Sequence, residues 1–403
     1  MKRKLLHTPE GVRDIYNKEC ARKLILQEHL HELLREYGYH AIETPTFEFF
    51  DIFSKEIGTT PSKDLYKFFD REGNTLALRP DITPSIARCA AKYFGEEEFP
   101  VRLCYMGNTF INNSSYQGRL KESTQLGAEL LGDNSVGADA EIIALVVNAL
   151  KTAGLREFQI GVGHVGFFQG LVQAAGLKED TEQELVELIS NKNFFGVEEL
   201  ADSLHLPSNL RELFSMLGNL CMTEELLQKA KDLAKGFPII LGALERLGQL
   251  MQVLSCYGVE KYVSIELGML SSYHYYTGII FAGYTFGSGE PIVKGGRYDQ
   301  LLEHFGKQAP SIGFAVVVDQ LLAALSWQKI KIPVRDNGTL LVYHSTRQAE
   351  AIQKALSLRE AGAWVSLVEW EEGKSREDYQ AYAKRMYLQE LQFIEGTSSC
   401  GDV

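Results

Sequence analysis

Residues 118–130 read GRLKESTQLGAEL, and this stretch decides the fold. From Leu120 to Leu130 the pattern predicts a β-strand, which returns antiparallel to a strand at 101–105 after a polar loop at 112–115. Consecutive antiparallel strands with helices between them are typical of an α+β fold and argue against a doubly wound sheet.

The flanking sequence predicts the elements around this strand pair. Hydrophobic spacing predicts an amphipathic helix at 20–37, and two short strands at 65–78 form a hairpin. Thr83 and Pro84 predict a helix start, with the Thr83 hydroxyl as the N-cap and the proline in the first turn. Three more strands and a last helix follow, at 262–267, 275–282, 291–294 and 313–325.

Hydrophobic periodicity also predicts the domains. Residues 1–330 form one α+β domain, which contains a helical insertion at about 178–258. Residues 335–396 alternate strand, helix, strand, helix and strand, as a small parallel α/β domain does. Residues 397–403 are predicted to be a loose tail.

The composition excludes several classes of protein. Of 403 residues, 45% are hydrophobic and 23% charged, and no uninterrupted apolar run approaches the roughly 18 residues of a membrane span. The balance of 41 basic and 53 acidic residues, a net charge of −12, argues against a nucleic-acid partner. No apolar run follows the basic N-terminus, so we predict no signal peptide and a cytoplasmic location.

Sequence motifs for cofactors and metals are absent. The chain has no P-loop, no G-x-S-x-G and no H-E-x-x-H, and its six cysteines form no C-x-x-C pair. We therefore predict neither a cofactor nor a metal.

Polar side chains within predicted core strands form the candidate site, because an unpaired polar group in a core costs about 1–3 kcal/mol. Gln125 and Glu129 share one face of a strand. Such residues would line a pocket for a small cationic or zwitterionic ligand, with carboxylates binding an ammonium or imidazolium group. In the alternative, Glu129 pairs with Arg79 or Arg119 and the tyrosines only pack. The residues concerned are Arg79, Asp81, Gln125, Glu129, Tyr275, Tyr276 and Tyr298.

Five short segments stand out along the chain: LRPDIT at 78–83, GRLKESTQLGAE at 118–129, HYYTG at 274–278, GGRYD at 295–299 and GFA at 313–315. These segments, in this order, resemble those of histidyl-tRNA synthetases. The resemblance covers residues 8–325 and implies a class II aminoacyl-tRNA synthetase-like antiparallel sheet flanked by helices. The small C-terminal domain resembles a shortened anticodon-binding domain.

The resemblance also implies a histidine site without the chemistry of a synthetase. Three arginines that hold phosphates and the amino-acid carboxylate in synthetases are replaced by Ile111, Ser271 and Gln320, so adenylation should be lost. The partner of the histidine carboxylate stays open among Arg79, Arg119 and a backbone amide. The implied histidine-binding residues are Asp81, Thr83, Gln125, Glu129, Tyr275, Tyr276 and Tyr298.

A chain that keeps an amino-acid pocket and loses the phosphate-binding arginines resembles the regulatory subunits of ATP phosphoribosyltransferase. These synthetase-like proteins assemble with a short-form catalytic subunit at the first step of histidine biosynthesis. The resemblance implies a non-catalytic chain that binds L-histidine as an effector, mediates feedback inhibition and is a homodimer within a hetero-oligomer. Two alternatives are a divergent but active histidyl-tRNA synthetase and a module that binds histidine or tRNA for another control purpose.

Overall fold

The computed structural model describes residues 6–53, 60–95, 98–113, 120–219, 221–270, 275–334 and 338–396. The chain divides into two compact units, Met1–Ile332 and Pro333–Val403. The predicted tail lies outside the described residues.

A mixed eight-stranded sheet forms the centre of the first unit, with three further strands in a small separate sheet. The strands are β1 (His40–Ala41), β2 (Phe47–Phe49), β3 (Lys67–Phe69), β4 (Thr75–Leu78), β5 (Val101–Phe110), β6 (Glu122–Leu131), β7 (Phe158–His164), β8 (Val263–Ile265), β9 (Ile279–Thr285), β10 (Val293–Arg297) and β11 (Ser311–Val317). The large sheet has the order β1-β5-β6-β11-β10-β9-β7-β8 and is antiparallel except for the pairs at its two ends. The predicted β5–β6 pair is confirmed and is ten residues long.

Helices cover this sheet, and those of the insertion share its core. Leu244, Leu247 and Leu250 of the last inserted helix are fully buried and belong to the same hydrophobic cluster as the sheet residues Leu126 and Ile160. The helices are α1 (Asn17–Glu36), α2 (Thr83–Tyr93), α3 (Val136–Thr152), α4 (Val165–Ala175), α5 (Glu179–Ser190), α6 (Phe194–Ser203), α7 (Ser208–Ser215), α8 (Glu224–Leu233), α9 (Pro238–Cys256) and α10 (Val318–Trp327).

Within the described chain, α9 is the one helix long and apolar enough to cross a membrane. It packs against α3 and α4, and its leucines lie in the core. Its apolar composition is therefore explained by burial within the protein.

The small sheet contains the predicted hairpin. β3 and β4 pair antiparallel, and β2 adds to the other edge of β4. The hairpin prediction is confirmed.

Two predicted elements begin several residues later than predicted. The helix predicted at 313–325 begins only at Val318, because the preceding residues form β11 between β6 and β10. A central strand covered on both faces lacks the polar–apolar alternation by which a strand is recognised. The strand predicted at 275–282 begins only at Ile279. Before it, the Thr277 hydroxyl donates to Asp299 at 3.0 Å.

The second unit is the small parallel α/β domain that the alternation predicts. Its strands pair in parallel in the order β13-β12-β14. Its helices pack on opposite faces of this sheet, one against Leu341 and the other against Leu340. The elements are β12 (Gly338–Tyr343), α11 (Gln348–Glu360), β13 (Trp364–Glu369), α12 (Arg376–Arg385) and β14 (Glu390–Ile394).

Candidate functional site

Three neighbouring strands, β6, β11 and β10, form the floor of a cavity in the first unit. Glu129 pairs with Gly313, and Gly313 pairs with Gly296, so the three residues form one row across the sheet. A side chain at Gly313 would overlap the Glu129 carboxyl group, and a Cβ at Gly296 would lie 2.9 Å from the Tyr276 ring. The two glycines therefore make room for the functional side chains.

Glu129 lies at the bottom of this cavity with only 1% of its surface exposed. Its Oε1 accepts a hydrogen bond from the Thr83 hydroxyl at 2.8 Å, and its Oε2 accepts one from the Tyr298 hydroxyl at 2.5 Å. Burial raises the pKa of Glu129 to about 8, although both hydrogen bonds oppose the shift and the nearby Asp81 adds to it. Burial therefore favours the protonated form of Glu129 near neutral pH.

Asp81, rather than Thr83, binds the first amides of α2. Its Oδ1 accepts from the Ile82 amide at 2.7 Å and from the Thr83 amide at 3.4 Å. The prediction that the Thr83 hydroxyl caps the helix is wrong, because that hydroxyl donates to the buried Glu129 instead. The start of α2 thus supplies two groups to the site.

Three tyrosines form one wall of the cavity. The Tyr275 ring stands edge-on to those of Tyr276 and Tyr298, with centroids 4.9 Å and 5.9 Å away. The Tyr275 hydroxyl donates to Oδ2 of Asp81 at 3.4 Å. The tyrosines therefore pack together and also present hydroxyl groups to the carboxyl groups of the site.

All seven predicted site residues line one cavity of about 790 Å³. This volume is within the range of small-molecule sites, about 300–1,000 Å³. The buried Oε1 of Gln125 has no hydrogen-bond partner in the described part of the chain. The lining residues that were predicted are Asp81, Thr83, Gln125, Glu129, Tyr275, Tyr276 and Tyr298.

The alternative pairing of Glu129 with Arg79 is wrong. Arg79 is buried, and its guanidinium donates to the main-chain oxygens of Thr44 and Asn108, each at 2.8 Å. Arg119, the other arginine considered, lies outside the described residues. Arg79 is also not among the residues that line the cavity.

The polar groups of the cavity suit an organic ligand. Across the described segments, no group of three or more His, Cys, Asp or Glu side chains could hold a metal ion. Hydroxyl, amide and carboxyl groups of this kind match the hydrogen-bonding pattern of an amine and an imidazole.

Comparison with known proteins places the chain in a family. The family model described as histidyl-tRNA synthetase matches residues 11–321. A protein of Acetivibrio thermocellus, named ATP phosphoribosyltransferase regulatory subunit, is 40% identical over 90% of this chain and 86% of its own length. A protein of Clostridium kluyveri with the same name is 35% identical over 94% of this chain and 97% of its own length. The chain belongs to the family of ATP phosphoribosyltransferase regulatory subunits.

Solved structures support membership of this regulatory-subunit family. A Bacillus halodurans protein, described as an ATP phosphoribosyltransferase regulatory subunit/histidyl-tRNA synthetase, is similar with a TM-score of 0.86 and 32% identity, over 98% of this chain and 99% of its own. The histidyl-tRNA synthetase of Nostoc shares the fold, with a TM-score of 0.79 at 19% identity over 97% of this chain and 92% of its own. The predicted synthetase-like fold is confirmed.

Two of the three positions that the resemblance assigned to synthetase arginines lie in the cavity wall of this family member. Ile111 and Gln320 both line the cavity, and the Gln320 amide donates to Glu290 at 3.4 Å. Ser271 lies outside the described residues. At the two described positions the wall therefore offers no positive charge.

The basic lining residue Lys294 was missed by the sequence analysis. Lys294 directly precedes the GGRYD segment and lies on the cavity wall. Its spacing of two from Gly296 and four from Tyr298 puts all three on one face of the strand and was the available signal.

We expect the variant Glu129→Gln, without ligand, to be more stable than the wild type at pH 8. The folded-state pKa of about 8 lies above the ordinary 4.5. The unfolded chain therefore loses this proton first, and wild-type stability falls as pH rises between these values, by at most about 1.4 kcal/mol per pH unit. Melting temperatures of both proteins between pH 5.5 and 8.5 measure the difference.

The variant Glu187→Gln, at an exposed position of α5, is the matched control and should follow the wild type. A melting-temperature difference between Glu129→Gln and wild type that does not grow with pH would contradict the raised pKa.

Proposed function

We propose that this chain is a non-catalytic subunit that acts with the short-form catalytic subunit of ATP phosphoribosyltransferase, and that its cavity binds L-histidine as the effector. The observation that carries the proposal is the composition of one cavity. It combines the buried Glu129 and its hydroxyl partners with Ile111 and Gln320 in place of arginines. The names of the related proteins support the same partner.

Histidine matches the groups around Glu129. The imidazole would lie against Glu129 and Tyr276, and the ammonium group would bind Asp81 and Gln125. Free imidazole has a pKa of about 6.5, and Glu129 has one of about 8. Between these values one proton is available to the pair, which can share it as imidazole and carboxylic acid or as imidazolium and carboxylate.

The same cavity is unsuited to ATP. Phosphate groups need fixed positive partners, and removing one such partner typically lowers a rate by about 10²–10³. Asp64 and Glu290 also line the cavity and would repel phosphate, whereas Lys23 offsets the charge of a third lining carboxylate, Asp319. The predicted loss of adenylation rests on the replaced arginines, and the carboxyl groups of the cavity favour the same outcome.

Regulation requires that histidine favour one state of the assembly over another. A coupling of about 1–3 kcal/mol between two sites is typical of allosteric proteins. Glu129 is positioned to transmit occupancy, because it joins β6 to the start of α2 through Thr83 and to the segment after β10 through Tyr298. Histidine would thereby inhibit the first step of its own biosynthesis in the cytoplasm, through a hetero-oligomer.

A second copy of the chain is the proposed partner of the small sheet. Phe49 and Phe68 flank Leu76 in one row, and Phe47 lies beside them, with its ring 5.6 Å from that of Phe68. These phenylalanines are 37–56% exposed. Phe47 and Phe49 follow Pro45 in the segment that resembles the synthetase dimer interface, and Phe68 lies beside them, so a homodimer would cover all three.

Mixing the purified chain with a short-form ATP phosphoribosyltransferase catalytic subunit tests the main proposal. We expect the catalytic subunit to bind the chain, and histidine to inhibit the complex. Tyr276→Phe and Glu129→Ala should raise the histidine concentration for half-inhibition at least about tenfold, because each leaves polar ligand atoms without a partner. Enzyme activity at a series of histidine concentrations measures this.

Tyr284→Phe is the matched control, because Tyr284 is 45% exposed and does not line the cavity. Unchanged inhibition in both site variants would show that histidine acts elsewhere. If the chain bound histidine but did not bind the catalytic subunit, the alternative of a histidine-binding module for another control purpose would be favoured.

We expect no histidine-dependent exchange of pyrophosphate into ATP by the chain alone. Ile111 and Gln320 leave the phosphates without cationic partners at these positions. Radioactive pyrophosphate exchange, with an authentic histidyl-tRNA synthetase as the positive control, measures it. Exchange at the rate of the control would instead favour the divergent active synthetase.

The chain alone should sediment as a homodimer at micromolar concentration, and Phe49→Ser should shift it towards monomer. The substitution removes an aromatic side chain from the proposed interface, which should weaken association at least about tenfold. Phe195→Ser on α6, where the phenylalanine is 70% exposed, is the control. A monomeric wild type, or equal effects of both substitutions, would contradict this interface.

A further inference from the structure

The proposed histidine site lacks an assigned partner for the ligand carboxylate. Arg79 is held by main-chain oxygens away from the cavity, and Ile111 and Gln320 carry no charge. Of the described residues that line the cavity, five are Asp or Glu and one, Lys294, is basic. A ligand carboxylate in this cavity needs a nearby cation to offset its repulsion by the acidic side chains.

Lys294 lies on the face of β10 that borders the cavity. Alternate residues of a strand face the same side, so Lys294 shares its side with Gly296, which lies beneath the Tyr276 ring. Tyr298, two residues further on, reaches Glu129. Lys294, Gly296 and Tyr298 therefore lie on the same side of the chain, and Lys294 is two residues before Gly296.

The strand register sets the distance that Lys294 must reach. Lys294 pairs with Ala315 of β11, and Ala315 pairs with Gly127 of β6. Neighbouring strands are about 4.8 Å apart, so the backbone of Lys294 lies about 10 Å from that of Gly127. Gly127 lies midway between Gln125 and Glu129 and packs against the Tyr105 ring, and Ala315 lies between Gly127 and Lys294 in this row.

A bound histidine would span this gap. With its imidazole at Glu129 and its ammonium group at Gln125, the ligand lies along β6, and its carboxylate is the remaining substituent of the α-carbon. A carboxylate directed across Ala315 towards β10 comes within reach of the long lysine side chain.

We propose that Lys294 is the specificity-determining residue that binds the carboxylate group of the ligand; this rests on the proposed histidine site. A lysine ammonium group is a single compact charge, whereas an arginine presents a planar fork that binds phosphate in a bidentate manner. One lysine selects an amino acid over its decarboxylated or reduced analogues without recreating a triphosphate site.

Binding of L-histidine and L-histidinol by calorimetry tests this inference, because histidinol replaces only the carboxylate by a hydroxymethyl group. We expect the wild type to bind histidine about tenfold to a hundredfold more tightly, the range of a charge-assisted hydrogen bond. Lys294→Met should remove this preference by weakening histidine alone. Lys294→Arg should keep most of it, and Lys354→Met on α11, at an exposed position, should match the wild type.

Two outcomes would overturn the inference while leaving the histidine site intact. One is equal binding of both ligands by the wild type, and the other is an equal loss of both in Lys294→Met. If the wild type and the Glu129→Ala variant bound histidine with equal affinity, the proposed histidine site would be wrong. The inference about Lys294 would then be wrong too.

Discussion

A carboxyl group buried in the central sheet is the constraint on which this structure depends. Glu129 is almost fully enclosed, and a buried carboxyl group is tolerated only with hydrogen-bond partners. Those partners come from the start of α2 and from the segment after β10, and the facing residue on β11 must be glycine. One side chain therefore fixes the relation of a helix to three strands.

The fold was predictable where one face of an element meets solvent or where turn residues separate short strands. The β3–β4 hairpin and the C-terminal alternation of strands and helices are such cases. The strand Ser311–Val317 was missed because it is covered on both faces, so its sequence has no polar–apolar alternation. Thr83 was misassigned because a helix cap is a local preference, and its buried partner is 46 residues away.

The site was predictable from the resemblance of its motifs, and less so from the residues alone. The alternation of side chains along a strand predicts that Gln125 and Glu129 share one face. Their proximity to Tyr276 depends on the strand order of the sheet, which the sequence does not reveal. Arg79 was a reasonable partner for Glu129 by charge, yet it is buried beside Gly107, where any side chain would overlap its guanidinium. Lys294 was missed because a lysine in a strand ordinarily indicates a solvent-facing position.

The positions of these residues are consistent with the proposal that a synthetase fold has lost its chemistry and kept its ligand. Ile111 and Gln320 lie on the cavity wall, where a cation can be replaced without disturbing the hydrophobic core. Glu129 and Tyr298 are fully buried, so the proposed histidine site and the core share side chains. A ligand that binds only the folded state at a hundred times its Kd adds about 2.7 kcal/mol to stability. Glu129 joins β6 to α2 through Thr83 and to the segment after β10 through Tyr298, so the proposed ligand would stabilise the contacts between these three elements.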